Sequence, residues 1–524
     1  MPALMILGTA SHVGKSILTA ALGRILSDEG YRVAPFKAQN MSLNSAATLD
    51  GREIGRAQAL QAEACRVPAR AEMNPILIKP STDTSAQVVV MGRVWGQITA
   101  ADYHRRRVEE LFPIVLNAYE RLAAEHDVIL LEGAGSPAEI NLKEHDIVNM
   151  RMAHAARAGC LLVGDIDRGG VFASLLGTVE LLDPNDRSLL RGFIINKFRG
   201  DASLLQPGIE TIARRLHLPC AGVIPHLPAL GLDEEDSVAL AAGQAIRPSS
   251  PPVCEADHGE PHSPGGRPLR IAVLAFPYLA NFTDFDALAA EPSVSLAYLS
   301  RPQDLDRADL FILPGSKQTL DDLAWLRRSG FERAIRAFAT RSAVIGICGG
   351  MQMLGRTIED PSGAESAGTP RHEPGLGLLP IATTLRAEKI TRLARGRVVC
   401  ATLFGQPLTA PDFEGYEIHL GETVYQDGAV PFAKICRSGE TDPHPDGAVH
   451  GNVFGTYIHG LFADDAFRHS FLAAARAARG LAPAHDFVRV TAEREARMGR
   501  LAAHVRASLD MNLIRNCIAP TTHA

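Results

Sequence analysis

The sequence predicts an α/β protein: a doubly wound parallel sheet followed by a second α/β domain. Three observations carry this. Apolar runs of four to six residues recur along the chain, each ending in a polar or glycine-rich turn that leads into a helix-like pattern. The regularity stops between Ala241 and Pro268, where Pro248, Pro251, Pro252, Pro261, Pro264 and Pro268 punctuate Ser, Gly and His. It resumes at Leu269-Arg-Ile-Ala-Val-Leu-Ala. The expected parts are a first domain over 1–240, a Pro-rich linker over 241–268, a second domain over 269–465 and a helical extension over 466–524, frayed from 514.

Composition narrows the class. A chain of 524 residues is too long for one ordinary core. Hydrophobic residues make up 46% and charged residues 21%, the balance of a soluble globular protein. The net charge of -6 gives no polybasic surface for nucleic acid or an anionic membrane. No run approaches the roughly 18 apolar residues of a membrane span, and the N-terminus lacks a basic region before an apolar core. The cysteines at 65, 160, 220, 254, 348, 400, 436 and 517 form no C-x-x-C pair, so neither a zinc site nor a disulfide framework is expected. A cytoplasmic enzyme with reduced thiols is the expectation.

Leu4 to Leu7 form the first strand. Gly8-Thr-Ala-Ser-His-Val-Gly14-Lys15-Ser16 follows, and then a helical pattern through Leu26. Strand, glycine loop and helix are the context a phosphate-binding loop needs. Backbone N–H groups and the helix N-terminus cradle phosphate oxygens, Lys15 neutralises their charge, and Ser16 can hold Mg²⁺. The loop is one residue longer than the usual spacing and resembles the dethiobiotin-synthetase branch of P-loop proteins. A second strand, Arg32 to Phe36, ends in Lys37, and the amide-rich segment Lys37-Ala-Gln-Asn-Met-Ser-Leu-Asn-Ser follows at a strand's carboxyl end, where open α/β sheets bind ligands. The helical stretch Ile54 to Ala64 carries Gln58, Gln61 and Glu63, and Asn74-Pro-Ile-Leu-Ile-Lys79-Pro reads as a further strand.

Val128 to Leu131 lead into Glu132-Gly-Ala-Gly-Ser136, an acidic residue placed to hold Mg²⁺ directly or through water. Two more strands end in Asp165-Ile-Asp167-Arg168-Gly-Gly and in Asn196-Lys197-Phe-Arg199-Gly-Asp201, the second resembling a nucleotide-base reader at Asn196. Gly222-Val-Ile-Pro225 closes this half.

In the second half, Asn281-Phe-Thr-Asp284-Phe-Asp follows the opening strand, and Asp309-Leu-Phe-Ile-Leu leads into Pro314-Gly315-Ser316-Lys317. Then comes Gly346-Ile-Cys348-Gly349-Gly350, a cysteine on a tight turn between a strand and a helix-like segment. The alternative to a nucleophile there is a buried cysteine in a glycine-rich turn. A β-rich stretch from Gly375 contains Gly415-Tyr-Glu-Ile-His419, and Gly455-Thr-Tyr-Ile-His459 reads as a strand ending in histidine.

A thiol on such a turn, a glycine turn upstream and a histidine about 110 residues downstream compose one reaction. Cys348 attacks a carboxamide, His459 takes its proton or keeps it in a thiolate–imidazolium pair, and N–H groups near Gly315, Ser316 and Gly349 hold the oxyanion. The products are an acyl thioester and ammonia. Residues 269 to about 465 resemble a class I glutamine amidotransferase domain with Cys348 and His459 at the nucleophile and base positions. Such domains commonly carry a glutamate two residues after the histidine, where this chain has Leu461. Either the pair works alone or another group, with Glu417 one candidate, orients His459.

The whole chain, from about residue 3 to 465, is similar to the cobyric acid synthase (CobQ) family of cobalamin biosynthesis. The pieces that carry the resemblance are Phe36-Lys-Ala-Gln-Asn-Met-Ser-Leu-Asn-Ser, Glu132-Gly-Ala-Gly-Ser-Pro, Asp165-Ile-Asp-Arg-Gly-Gly-Val-Phe, Leu313-Pro-Gly-Ser-Lys, Ile347-Cys-Gly-Gly-Met-Gln and Gly415-Tyr-Glu-Ile-His. The resemblance implies ATP, Mg²⁺ and glutamine as co-reactants. It implies a corrinoid substrate, adenosylcobyrinic acid a,c-diamide, amidated at its b, d, e and g carboxylates to adenosylcobyric acid. A carboxylate resists ammonia at neutral pH, and transfer of a phosphoryl group makes it an acyl phosphate. The expected roles are Gly14, Lys15, Ser16, Lys37 and Asn196 at the nucleotide, Ser16 and Glu132 at Mg²⁺, and Asp165, Asp167 and Arg168 at the corrinoid. Ammonia has to travel unprotonated, which implies a shielded path. The rival readings are the sister cobyrinic acid a,c-diamide synthase, a ligase acting on cell-wall lipid precursors, and a P-loop regulatory protein with a degenerate amidotransferase half.

Overall fold

The computed structural model describes residues 2–81, 85–227, 266–366, 368–409, 412–426 and 428–518. The chain packs as two units, one gathering Met1–Ser42, Glu53–Asp233 and Arg494–Ala524, the other Leu43–Arg52 and Glu234–Glu493. The expected linker lies, through residue 265, outside the described residues.

The first unit is built on a six-stranded parallel sheet. Its strands are β1 (Ala3–Gly8), β2 (Val33–Phe36), β3 (Val128–Glu132), β4 (Gly159–Asp165), β5 (Leu190–Phe198) and β6 (Cys220–Pro225), in the spatial order β6-β5-β4-β1-β3-β2. Every pairing is parallel. Strands β1 to β4 are buried along their whole length, which is why they read as unbroken apolar runs rather than alternating ones. Strand β1 lies between β3 and β4, so the turn after it opens at the carboxyl edge where connections diverge.

The strand expected after Asn74 forms, as Ile76–Pro80, but in a second sheet. That sheet pairs Gln39–Met41 with it and adds the hairpin Ser85–Val90 and Arg93–Thr99. The tail differs from expectation. From Arg494 it packs with the first unit, and helices Val490–Ser508 and Met511–Ile518 place Met498, Leu501, Val505, Ile514 and Ile518 in that unit's apolar core. The Asp510 N–H donates to the Ala221 carbonyl beside β6 at 2.8 Å. Residues 514–518 are therefore held rather than frayed: Ile514 and Ile518 are buried in the core and the turn before them is tied to β6.

The second unit has its own central sheet: β7 (Leu269–Leu274), β8 (Val294–Leu299), β9 (Leu310–Leu313), β10 (Ala343–Ile347), β11 (Ala448–His450) and β12 (Val453–Thr456), ordered β8-β7-β9-β10-β12-β11. Only β11 runs antiparallel to its neighbour. The β-rich stretch after Gly375 is a separate sheet built on the long antiparallel pair Ile381–Val398 and Asp412–Tyr425. Helix Asp465–Ala478 buries Phe467, Phe471 and Leu472 in the same core, so this unit continues past residue 465. No described helix is long and apolar enough to cross a membrane.

Candidate active sites

In the first unit the carboxyl edge of the sheet gathers a compact charged group. Gly14 has φ +100°, and a Cβ there would lie 2.3 Å from the Asn196 amide, so only glycine fits. Asn196, at the end of β5, donates to the Val13 carbonyl at 2.8 Å. Its amide N–H thus braces the loop, a role that the base-reading expectation did not include. The Lys15 ammonium donates to the carbonyls of Ala10 and Gly135, both at 3.0 Å, and so points into the loop.

Glu132, at the end of β3, is the hub. Its Oε1 accepts from Ser16 Oγ at 2.7 Å and from Lys37 Nζ at 2.9 Å, and its Oε2 accepts from Gln61 Nε2 at 2.5 Å. Lys37 and Glu132 are both buried, 4% and 1% exposed. Such a pair persists only when hydrogen bonds satisfy its remaining atoms. Gln61 was not assigned a role from sequence. The signal was there: Gln58 and Gln61 lie three apart on the inward face of helix Arg56–Ala64, where a helix ordinarily puts apolar side chains. The Gln61 Oε1 is buried without a hydrogen-bond partner. A hydroxyl, a carboxylate and an orphaned amide oxygen are hard donors that suit Mg²⁺, which takes few protein ligands and completes its shell with phosphate and water.

Asp165 closes the other side of the loop. Its Oδ2 pairs with Lys197 Nζ at 2.8 Å, and the same ammonium donates to the His12 carbonyl at 2.7 Å. Its Oδ1 accepts from the Asp167 N–H at 2.9 Å. Asp165 is thus committed to the scaffold of the loop, whereas Asp167 and Arg168 are exposed, with Asp167 paired to Arg199 at 3.0 Å. Among the residues expected to face a substrate, these two are the accessible ones.

In the second unit Cys348 sits on the sharp turn between β10 and the short helix Gly349–Leu354, with φ +52° and ψ -111°. That conformation is strained for a residue with a Cβ and is the geometry of a nucleophile elbow. Gly350 makes the turn possible, since a Cβ there would lie 2.0 Å from the Leu313 carbonyl oxygen. The Cys348 N–H donates to the Thr456 carbonyl at 2.8 Å, tying the turn to β12, and its Sγ is 3.6 Å from the Ile418 carbonyl. The expected oxyanion residues converge: a Cβ on Gly349 would lie 3.1 Å from the Ser316 nitrogen, and one on Gly315 would lie 3.3 Å from His459 Cε1.

His459 is 2% exposed, just beyond β12. Its orienting group is Asp284. The Nδ1 of His459 lies 2.6 Å from Asp284 Oδ2, and Asp284 Oδ1 accepts from the Gly460 N–H at 2.9 Å. Burial acts to lower the His459 pKa. The Asp284 charge and hydrogen bond, followed by Cys348, outweigh it and hold the proton on the imidazole above its ordinary range. Nδ1 thus carries the proton that Asp284 accepts, which turns Nε2 toward chemistry.

Glu417, the candidate in the sequence, faces other partners. Its Oε1 lies 3.0 Å from His419 Nε2 and its Oε2 accepts from Arg437 Nε at 2.6 Å. Burial would raise its carboxyl, but those two partners hold it down to about 2. The alternation of strand Asp412–Tyr425 gives Glu417 and Tyr416 opposite faces, and it is Tyr416 that stacks on His459, with ring centroids 5.4 Å apart. Asp284 escaped sequence reading because it comes 175 positions before its histidine. The only local trace was an aspartate set between Phe282 and Phe285, where an acid needs a partner.

Residues 4–238 match the family model described as the CobQ/CobB/MinD/ParA nucleotide binding domain, and residues 270–467 match the CobB/CobQ-like glutamine amidotransferase domain. Three proteins called cobyric acid synthase are similar nearly end to end. The one from Moorella thermoacetica is 47% identical over 97% of this chain and 96% of its own. That from Sorangium cellulosum is 46% identical over 98% and 97%, and that from Nitratidesulfovibrio vulgaris 46% over 98% and 96%.

Proposed function

The chain belongs to the cobyric acid synthase family, and on that premise we propose that it amidates the b, d, e and g carboxylates of adenosylcobyrinic acid a,c-diamide, using ATP and glutamine, to give adenosylcobyric acid. The observation that carries this reading is that one chain holds equipment for both half-reactions: the Cys348, His459 and Asp284 group and the Ser16, Lys37 and Glu132 group.

At the first group, the Cys348 sulfur attacks the glutamine carboxamide. The proton moves through His459 to the leaving nitrogen, and Asp284 holds the imidazole throughout. N–H groups near Gly315, Ser316 and Gly349 support the oxyanion. Ammonia leaves, and water then releases glutamate from the thioester.

At the second group, the loop from Gly8 to Ser16 cradles the ATP phosphates, and Lys15 turns its ammonium from the Ala10 and Gly135 carbonyls toward them. Ser16, Glu132 and Gln61 would hold Mg²⁺, which supplies charge neutralisation on the β- and γ-phosphates. Lys37 steadies the transferring phosphoryl group as it passes to the substrate carboxylate. Ammonia then displaces phosphate from the acyl phosphate. Asp167 and Arg168, exposed beside the loop, contact the corrinoid.

The test is to supply ATP, Mg²⁺ and glutamine with either cobyrinic acid or its a,c-diamide. Stepwise gain of four amides on the a,c-diamide, followed by mass spectrometry, is the expected result. Amidation of cobyrinic acid at positions a and c instead would overturn it in favour of the sister enzyme.

A further inference from the structure

Residues 43–52 depart from the segment that carries Lys37 and pack with the second unit, and their placement there is specific. Both backbone polar groups of Ser45 are engaged. The Ser45 N–H donates to Asn281 Oδ1 at 3.0 Å, and the Ser45 carbonyl accepts from the Tyr416 hydroxyl at 3.3 Å. Each of these partners leads directly to His459.

Asn281 stands in the left-handed region, φ +53°, and opens the one-turn helix Phe282–Phe285. Its carbonyl accepts from the Asp284 N–H at 3.0 Å. Asp284 in turn holds His459 Nδ1. On the other side, Tyr416 stacks on the His459 ring at an interplanar angle of 23°. The two backbones exchange hydrogen bonds, Tyr416 N–H to His459 carbonyl at 3.1 Å and His459 N–H to Tyr416 carbonyl at 2.8 Å. Ala47 packs against Tyr416 and Ile418, whose carbonyl lies 3.6 Å from the Cys348 sulfur. The far end is pinned by Arg392, which donates to the Gly51 carbonyl at 3.2 Å.

We propose that residues 43–52 are a positioning element of the glutaminase, in which the Ser45 backbone N–H and carbonyl set the His459 imidazole from two sides through Asn281 and Tyr416. The glutaminase therefore takes part of its scaffold from the stretch of chain that follows Lys37, and its competence depends on that stretch being seated. Ser45, Asn281 and Tyr416 are positioning residues: none supplies an atom to the reaction. The proposal rests on the reading of Cys348 and His459 as the glutaminase pair.

The experiment uses the full-length chain and the variants Asn281→Ala, Asn281→Asp, Tyr416→Phe and Cys348→Ala. Glutamine-dependent and ammonia-dependent amidation are measured side by side, with the pH profile of kcat/KM for glutamine. Asn281→Ala and Tyr416→Phe are expected to lower the glutamine-dependent kcat by about tenfold to a hundredfold, the cost of a slightly misplaced catalytic group. The basic limb of the pH profile moves to lower pH as the Asp284–His459 contact loosens. Asn281→Asp keeps the acceptor oxygen and restores much of the rate. In an Asp284→Asn background, Asn281→Ala adds little, because both act on the same ring. Unchanged glutamine use and pH profile in Asn281→Ala and Tyr416→Phe would overturn the proposal. So would an equal fall in both nitrogen sources, which marks a general packing role. If Cys348→Ala still hydrolyses glutamine, the glutaminase reading itself has failed, and that outcome is separate.

Discussion

Asp284 Oδ2 lies 2.6 Å from His459 Nδ1, although 175 residues of chain separate them and the position two after the histidine is leucine. The aspartate arrives from the turn after β7 and the histidine from the end of β12. Asp284→Asn should therefore leave the fold in place and remove the charge that fixes the tautomer. The glutamine-dependent kcat is expected to fall by about 10²-fold to 10⁴-fold. An activity within twofold of the parent would mean that His459 works without an orienting acid.

Cys348→Ala should abolish glutamine use and spare amidation from added ammonium salts, assayed at high pH where free ammonia is abundant. Only the sulfur is removed: alanine keeps the Cβ and therefore the same backbone conformation at the turn. Glutamine-dependent turnover in this variant would place the nucleophile elsewhere.

Glu132→Gln should have a double effect. It takes the negative charge away from the Ser16 hydroxyl and the Gln61 amide N–H that donate to it, and removes the carboxylate charge facing the buried Lys37 ammonium. Breaking a buried ion pair on one side costs about 3–5 kcal/mol. The melting temperature should drop, and amidation from ammonia should fall while glutamine hydrolysis persists. Gln61→Leu separates the two effects: it keeps the Lys37 pair and should raise the Mg²⁺ concentration needed for half-maximal rate. An unchanged Mg²⁺ requirement would remove Gln61 from the proposed ligand set.

Asp446 is buried and accepts from the Thr456 hydroxyl and the Tyr457 N–H. Burial pushes its carboxyl up to about 7. A carboxyl raised in the folded state holds its proton more tightly there than in the unfolded chain, so its contribution weakens as pH rises from about 4 to about 7. Asp446→Asn cannot ionise. Its melting temperature relative to the parent should climb across that window and level off above it. A constant difference from pH 4 to pH 8 would show that Asp446 does not titrate there.

Much of this could be read along the chain because the relevant physics is local. A glycine loop between a strand and a helix, a glutamate at a strand end and a cysteine in a glycine turn each need only neighbours in sequence. Those elements formed where expected, from β1 and its loop to the turn at Cys348. The partners did not follow so simply. Glu417 stood in the motif Gly415-Tyr-Glu-Ile-His, 42 positions before His459, and strand alternation turns it to His419 and Arg437. Gln61 was visible as a polar residue on an inward helix face, but only packing puts it on Glu132. The tail read as one helical extension, since amphipathic periodicity says that a face is buried without saying against which core.

Along the chain alone, one reads the two α/β halves, the glycine loop with Lys15 and Ser16, the cysteine turn at Cys348, the strand that leads to His459, and the family. These are set by short-range turn geometry and by apolar runs, which are properties of contiguous residues. The tertiary structure decided what surrounds each group: Asp284 on His459, Gln61 and Lys37 on Glu132, and Ser45 seated between Asn281 and Tyr416. Buried polar groups must find partners wherever the fold brings them, and that pairing is fixed by strand order and register rather than by distance along the chain.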